Sequence, residues 1–179
     1  MKSLSKKFAI FMLSLFLLLP TIQPKAEIMG GKWTTDIKVY LDLGGYSDIS
    51  SAMTTAINSW NNRLGNIGSN IRIRNLSSSE ASQANVTVRV RDYIGAVALT
   101  TNYPSKTSSV YTGALIEVNS QQFSYLSSIE KLYTASHELG HVLGLAHTTT
   151  SRESVMKDSV QSGIALPSVF DQEELDRIY

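Results

Sequence analysis

The sequence predicts one domain of mixed class, α/β or α+β, in which strands and helices share a core. Short segments that alternate apolar and polar residues, as strands do, recur through the first two thirds of the chain. An amphipathic helix interrupts them at 47–64, and from residue 127 onward the apolar spacing changes to that of a helix. We find no internal repeat and no linker, so one core is expected.

The N-terminal residues 1–26 are predicted to be a secretory signal peptide. A basic start with three lysines is followed by an apolar run at 8–19, and Ala26 is the best candidate for the last residue removed. The run is short for a membrane span, which argues against the alternative of an uncleaved anchor. We therefore expect a secreted, extracellular domain at 27–179, without stable membrane association after cleavage.

Charge and composition narrow the function classes. Four of the sixteen basic residues precede the predicted cleavage site, which leaves twelve against fifteen acidic residues and a net charge of −3. The sequence has no basic patch interleaved with aromatic residues, so nucleic acid is not expected as a partner. The chain has no cysteine, so disulfides cannot stabilise it, and secretion without cysteine is typical of a bacterial exported protein. We expect a monomer.

The first half of the chain contains the clearest periodicities. A strand is predicted at 37–41, and a helix follows at 47–64 with Ser47 as candidate N-cap. The apolar residues of the helix recur every three or four positions and form one buried stripe: Ile49, Met53, Ile57, Trp60 and Leu64. Further strands are predicted at 71–74, 85–90, 95–104 and 111–118, and a loop at 77–83. In the central strand, at 85–90, the residues on the core face are Val86, Val88 and Val90.

Two helices are predicted at the end of the chain. In the first, at 127–143, three residues can pack on the sheet while the histidines face a cleft: Ala135, Leu139 and Val142. The second runs over 168–179, where Ser168 and Asp171 form an acidic variant of the capping box. Its predicted buried face is Phe170, Leu175 and Ile178.

All three histidines of the chain lie in one stretch, 137–147, which reads H-E-x-x-H-x-x-G-x-x-H. His137 and His141 are four residues apart, so on a helix they project from nearly the same side and can bind one metal ion. Gly144 allows the chain to leave the helix with positive φ and brings His147 back as a third ligand. Three protein ligands leave a fourth position for water, as in catalytic zinc sites.

Glu138 lies between two of these histidines, next to the expected metal. Its carboxylate can accept a proton from a water molecule bound to zinc, which is the role of a general base. A short H-E-x-x-H pattern alone also occurs in ordinary helices with two surface histidines. The third histidine and the glycine at the turn argue against such a coincidence.

The motif and the order of elements resemble the matrixin branch of the metzincin zinc metallopeptidases over roughly 33–179. Met156 resembles the methionine of that family's Met-turn, a tight turn beneath the histidines; the alternative is an ordinary core methionine. Thr148 stands where matrixins usually have serine, and no tyrosine follows Met156 within two residues, unlike in astacin-like relatives. Both details favour the matrixin branch.

The resemblance implies a twisted, mostly parallel sheet with an antiparallel edge strand, packed on two long helices, plus a C-terminal helix. Four residues resemble the edge strand with which the substrate pairs by strand addition: Ala96, Val97, Ala98 and Leu99. An internal strand at this place is the alternative.

The resemblance also implies the activity, a secreted zinc metalloendopeptidase that cleaves protein or peptide substrates. His137, His141 and His147 would hold one Zn²⁺, with Glu138 as general base. Two alternatives stay open: a secreted zinc-binding or adhesion module that has lost proteolysis, against which Glu138 argues, and a zinc hydrolase of cell-wall amide bonds.

The departures from the animal matrixins are also informative. All three histidines belong to the predicted catalytic site, so no second, structural zinc is expected. The chain has no cysteine, so no thiol can bind the zinc and block the site. Calcium binding is left open. Its loose candidate ligands are Asp92, Glu117, Asp158 and Asp171, and a carboxylate of this kind is more often simply solvated.

Overall fold

The structure is a computed structural model that describes residues 28–92, 95–104 and 109–179. The signal peptide predicted at 1–26 lies outside these residues. Among the helices in this part of the chain, none is long and apolar enough to cross a membrane.

The secondary structure follows the predicted order, with ends that differ by a few residues. The elements are β1 (Ile37–Asp42), α1 (Ser47–Asn66), β2 (Ile73–Asn75), a 3₁₀ helix (Ser78–Gln83), β3 (Val86–Arg91), β4 (Ala98–Tyr103), β5 (Gly113–Asn119), α2 (Ser120–Ser124), α3 (Ser128–Val142) and α4 (Val169–Asp176). The prediction of a loop at 77–83 is wrong. Ser77 and Glu80 form a capping box there that starts the 3₁₀ helix. The short helix α2 was not predicted.

The helix ends correct one detail and confirm another. Helix α1 begins at Ser47, but its N-cap is Tyr46, whose side chain makes no capping hydrogen bond, so the predicted Ser47 cap is wrong. Helix α4 does start with the predicted capping box, in which Ser168 accepts from the Asp171 amide and Asp171 accepts from the Ser168 amide. It ends at Asp176 instead of continuing to residue 179.

The five strands form one sheet in the order β2-β1-β3-β5-β4. The pairs β1–β2, β1–β3 and β3–β5 are parallel, whereas β4 runs antiparallel to β5, with Ala98 opposite Val118 and Tyr103 opposite Gly113. The prediction of a mostly parallel sheet with an antiparallel edge strand is confirmed. Strand β4 lies at the edge, so the alternative of an internal strand at this place is wrong.

The long helices α1 and α3 pack against each other. The five predicted stripe residues of α1 and the three predicted sheet-facing residues of α3 are all buried. In β3, Val86 and Val88 are buried while Val90 is only partly so. The indole of Trp60 donates to the carbonyl of Ser136, 2.9 Å away, and thereby satisfies its polar atom inside the core. This packing fixes α3, which carries two of the three histidines.

Candidate metal centre

Helix α3 presents the first two histidines one turn apart. A capping box of Ser127 and Glu130 fixes where the helix begins. The three sheet-facing side chains fix its rotation, since all of them are fully buried. His137 and His141 therefore project together into the cleft, as the four-residue spacing predicts.

The backbone turns sharply where α3 ends. Gly144 has a φ of +97°, and its amide donates to the carbonyl of His141 while the amide of Leu145 donates to that of Gly140, each at 3.0 Å. A Cβ at position 144 would also overlap the carbonyl oxygen of Gly31. Glycine is required here both by backbone conformation and by space. The turn redirects the chain so that His147 comes back beside the helix.

The three imidazoles converge through their Nε2 atoms. The distance is 3.0 Å between His137 and His141, and 3.1 Å from His147 to each of the other two. Three nitrogens bound tetrahedrally to one zinc at about 2.0–2.1 Å lie about 3.3 Å from one another. The triangle therefore has the size that a single ion of this kind requires.

The other ring nitrogens show which tautomer the histidines adopt. Nδ1 of His137 lies 2.7 Å from the carbonyl of Val155, Nδ1 of His141 lies 2.8 Å from the carbonyl of Leu145, and Nδ1 of His147 lies 2.6 Å from Asp158. A carbonyl or carboxylate oxygen can only accept, so each neutral ring has its proton on Nδ1. Three Nε2 lone pairs then face one another, an arrangement that a bound cation stabilises.

Burial of His137 and His141 also favours the neutral form of their imidazoles. Desolvation lowers the pKa of His137, and it lowers that of His141 to about 3, with the neighbouring His137 as a second cause. Buried imidazoles next to each other resist protonation. Because the neutral imidazole is the form that binds a metal, these two side chains are ready to serve as ligands at neutral pH.

Glu138 points into the same cleft. Its carboxylate is buried, and burial raises its pKa to about 7, while a hydrogen bond from the Thr100 hydroxyl at 2.6 Å opposes that increase. A divalent cation in the histidine triangle would favour the charged form and lower this pKa again. No basic side chain neutralises the carboxylate through a salt bridge in the part of the chain that the structure describes.

A protein-family model matches residues 27–163, and its description is dual-action HEIGH metallo-peptidase. The chain belongs to this family of metallopeptidases. The five letters in the description correspond to 137–141, where Leu139 stands in place of isoleucine. Zinc-dependent peptidase activity therefore follows from family membership, and the fold agrees with it. No curated protein matches the chain in a separate comparison.

Met156 of this metallopeptidase lies against α3 at Gly140. It is buried in a turn, where its amide donates to the hydroxyl of Ser154 at 3.0 Å and its carbonyl accepts from the amide of Thr148 at 2.9 Å. A Cβ at Gly140 would overlap the sulfur of Met156. Gly140, which sequence reasoning did not single out, thus lets the turn approach α3 between the two helical ligands.

Asp171 fixes this turn from α4. The side chain is buried, and it accepts from the Ser154 hydroxyl at 2.5 Å, from the Val155 amide at 3.1 Å and from the Ser168 amide at 2.7 Å. Burial raises its pKa. Since the carbonyl of Val155 accepts from His137, Asp171 is connected to this candidate ligand through the backbone of a single residue, Val155.

The candidate calcium ligands do not come together. Glu117 pairs with two arginines of the outer sheet face, Asp158 contacts His147, and Asp171 holds the turn. Asp92 is exposed. Within the described ranges, the histidine triangle is the one group of three or more metal-binding side chains. The arrangement thus offers no support for calcium.

The metallopeptidase has a cleft of about 480 Å³ around the histidines. Strand β4 and the residues before it line one wall; Ala98 and Leu99 belong to the strand, whereas Ala96 and Val97 precede it. Another wall includes Tyr133, Lys157, Asp158 and Val160. Tyr133 was not predicted as a residue of the site. Its hydroxyl lies 2.8 Å from the carbonyl of Lys157 and 3.0 Å from that of Ser159, so it holds this wall in place.

Proposed function

We propose that this metallopeptidase is a secreted, matrixin-like endopeptidase that hydrolyses peptide bonds of proteins. His137, His141 and His147 serve as the ligands of one Zn²⁺, and Glu138 serves as general base. The observation that carries the proposal is the convergence of three Nε2 atoms within 3.1 Å, with the Glu138 carboxylate in the same cleft. When bound, zinc would polarise the scissile carbonyl and lower the pKa of a coordinated water to about 7.

The residues of the chain divide the remaining work. Glu138 accepts a proton from the attacking water and delivers it to the leaving amine, for which a buried carboxylate without a salt-bridge partner is suited. The carbonyls of Val155 and Leu145 and the carboxylate of Asp158 hold the three imidazoles in orientation.

The substrate is proposed to bind as an extended strand. Among the residues that the structure describes, strand β4 pairs with β5 on one side only, so the backbone groups on its other side would be available to a peptide. Ala98 and Leu99 lie at the start of this edge and also line the cleft. Main-chain pairing there would bind polypeptides largely independently of their sequence. This supports protein cleavage over the hydrolysis of cell-wall amide bonds.

Two features of the sequence support the finer assignments. Residues 1–26 have the pattern of a signal peptide, which supports secretion. Thr148 after the third histidine, together with the absence of tyrosine at the two positions after Met156, supports the matrixin-like type.

The experiment uses the chain at 27–179. Zinc content is measured first, and cleavage of casein and of a random-peptide library is then followed with and without a zinc chelator. We expect one zinc per chain and internal cleavage that the chelator abolishes and added zinc restores. Stoichiometric zinc without cleavage would instead indicate a binding module, and cleavage of peptidoglycan fragments alone would indicate a cell-wall amide hydrolase.

The variant Glu138→Gln tests the assigned base. It keeps the shape of the side chain and removes the carboxylate, so we expect turnover to fall below detection while the zinc content stays the same. Substantial remaining activity in a fully zinc-loaded variant would show that another group accepts the proton.

A further inference from the structure

We propose that Thr100 is a positioning residue for Glu138, and that its hydroxyl holds the carboxylate in the orientation that the hydrolysis requires. This inference rests on the proposed function and adds a residue to it. Thr100 lies in strand β4, opposite Ile116 of β5, and it also lines the cleft. The edge strand that would bind the substrate is therefore the same element that holds the base.

The contact is short and directional. The Thr100 hydroxyl donates to Oε2 of Glu138 at 2.6 Å and lies 3.1 Å from the backbone carbonyl of the same residue. A hydroxyl has one proton, and the shorter distance to a carboxylate oxygen marks the stronger hydrogen bond. With Oε2 held, Oε1 is the oxygen left to accept a proton in the cleft.

A carboxylate needs such a tether. The terminal torsion of glutamate is soft and has no sharp rotamer wells, so burial alone does not define the direction of its two oxygens. General-base catalysis needs the accepting oxygen within hydrogen-bonding reach of the water, and a misplacement of about 1 Å can lower a rate by about 100-fold.

Strand β4 makes a second polar contact to α3 besides this hydroxyl. Two residues further along the same face of the strand, the side-chain amide of Asn102 donates to the carbonyl of His141 at 2.7 Å. Thr100 and Asn102 share one face of the strand, and Thr101 between them faces away from α3. When the Thr100 hydroxyl is removed, the contact of Asn102 to the helix is still present. The role of the hydroxyl is thus specific to Glu138.

The test compares three variants of the strand with the natural chain. Thr100→Val replaces the hydroxyl with a methyl group of similar size, Thr100→Ser keeps the hydroxyl, and Thr101→Val is the matched control on the opposite face. Zinc content, thermal midpoint, kcat and KM are measured for each on a peptide substrate. We expect Thr100→Val to lower kcat by about 10- to 100-fold with KM and zinc content unchanged. Thr100→Ser should recover at least half of kcat, and Thr101→Val should match the natural chain in zinc content and thermal midpoint.

A second measurement needs no activity. In the metal-free protein, Thr100→Val, Glu138→Ala and the double variant are unfolded in urea. Both single changes remove the same hydrogen bond, so the shift in midpoint for the double variant should be smaller than the sum of the single shifts. Additive shifts would show that the two side chains do not interact and would overturn the proposal.

The kinetic outcomes separate the two proposals. If the natural chain cleaves the substrate and Thr100→Val has an unchanged kcat, the role of Thr100 is overturned while the peptidase assignment stays intact. The same holds if Thr100→Ser is as slow as Thr100→Val. No cleavage by the natural chain overturns both. If Thr100→Val does not fold, Thr100→Ala takes its place; loss of zinc or of folding in both variants would assign Thr100 a structural role instead and overturn the inference.

Discussion

The two halves of the candidate metal centre are held by different kinds of contact. In the helix half, residues 137–143, the ligands take their positions from the regular hydrogen bonds of α3 and from its buried face. In the loop half, residues 147–160, there is no regular structure, and the chain is held by side chains from other elements. Asp171 and Tyr133 supply these contacts, and within the loop the amide of Thr148 donates to the carbonyl of Met156.

This difference predicts which half of the site unfolds locally at lower free energy. A helix closes its own backbone hydrogen bonds, so its two histidines keep their spacing whether or not metal is present. The loop half depends on a few long-range contacts, and segments of that kind open with lower free energy than packed helices. A bound ion would join the halves, because His147 would be its ligand from the loop side.

The largest expected effect is that of removing the metal. A ligand at 1,000 times its dissociation constant stabilises the folded state by about 4 kcal/mol. We expect urea unfolding with zinc and with a chelator to differ by that amount, and hydrogen exchange to accelerate in 147–160 but not in 137–143. Equal acceleration in both halves would contradict the comparison.

The next effect is that of Asp171→Ala, which leaves the buried Ser154 hydroxyl and two amides without their acceptor. We expect a loss of about 3 kcal/mol in the free energy of unfolding of the metal-free protein, measured in urea. Asp176→Ala is the control, because Asp176 lies on the same helix with an exposed side chain. Similar losses in both variants would show that the turn does not depend on the buried carboxylate.

A matched pair of glycines tests how closely the two halves pack. Gly140→Ala would push against the sulfur of Met156, and we expect it to destabilise the protein by about 1–3 kcal/mol. At Gly65 in α1, a Cβ meets nothing within 4 Å, so Gly65→Ala should stabilise by about 0.5–1 kcal/mol. Thermal unfolding of the two variants decides this, and the same sign for both would argue against the close approach of Met156.

The smallest effect is expected at Asp158, which contacts His147 at 2.6 Å from an exposed position. Asp158→Asn should weaken zinc binding by about tenfold, or about 1.4 kcal/mol, measured by competition with a chelator. The stability of the metal-free protein should stay the same, since the side chain is largely exposed. An unchanged zinc affinity would mean that the loop backbone alone orients His147.

Much of the fold could be predicted because it depends on local patterns. The alternation in β3 and the apolar spacing in α1 and α3 are repeated signals, and the structure has strands and helices at those places. The 3₁₀ helix after Ser77 was missed because its polar composition resembles that of a loop, and its start depends on one reciprocal pair of hydrogen bonds. The short helix α2 depends similarly on one contact, from the amide of Gln122 to the side chain of Asn119.

The candidate site likewise contains residues that the sequence predicted and residues that it did not. Sequence spacing placed the histidines, Glu138 and the turn glycine in one motif, because each acts within eleven consecutive residues. Thr100, Tyr133 and Asp158 gave no comparable signal. Thr100 is 38 positions from Glu138 and Tyr133 is 24 from Lys157. A lone threonine in a strand or tyrosine in a helix looks like many others until the partner is known.

The sequence by itself determined the kind of candidate centre that the chain builds: three histidine side chains and one carboxylate, set on a helix and a glycine turn. Helical spacing and the freedom of glycine are properties of the local backbone, so they can be predicted without knowledge of the fold. The tertiary structure alone decided what holds the centre. The Thr100 hydroxyl, the Asp171 carboxylate and the close packing of Met156 on Gly140 arise only when distant segments meet in space.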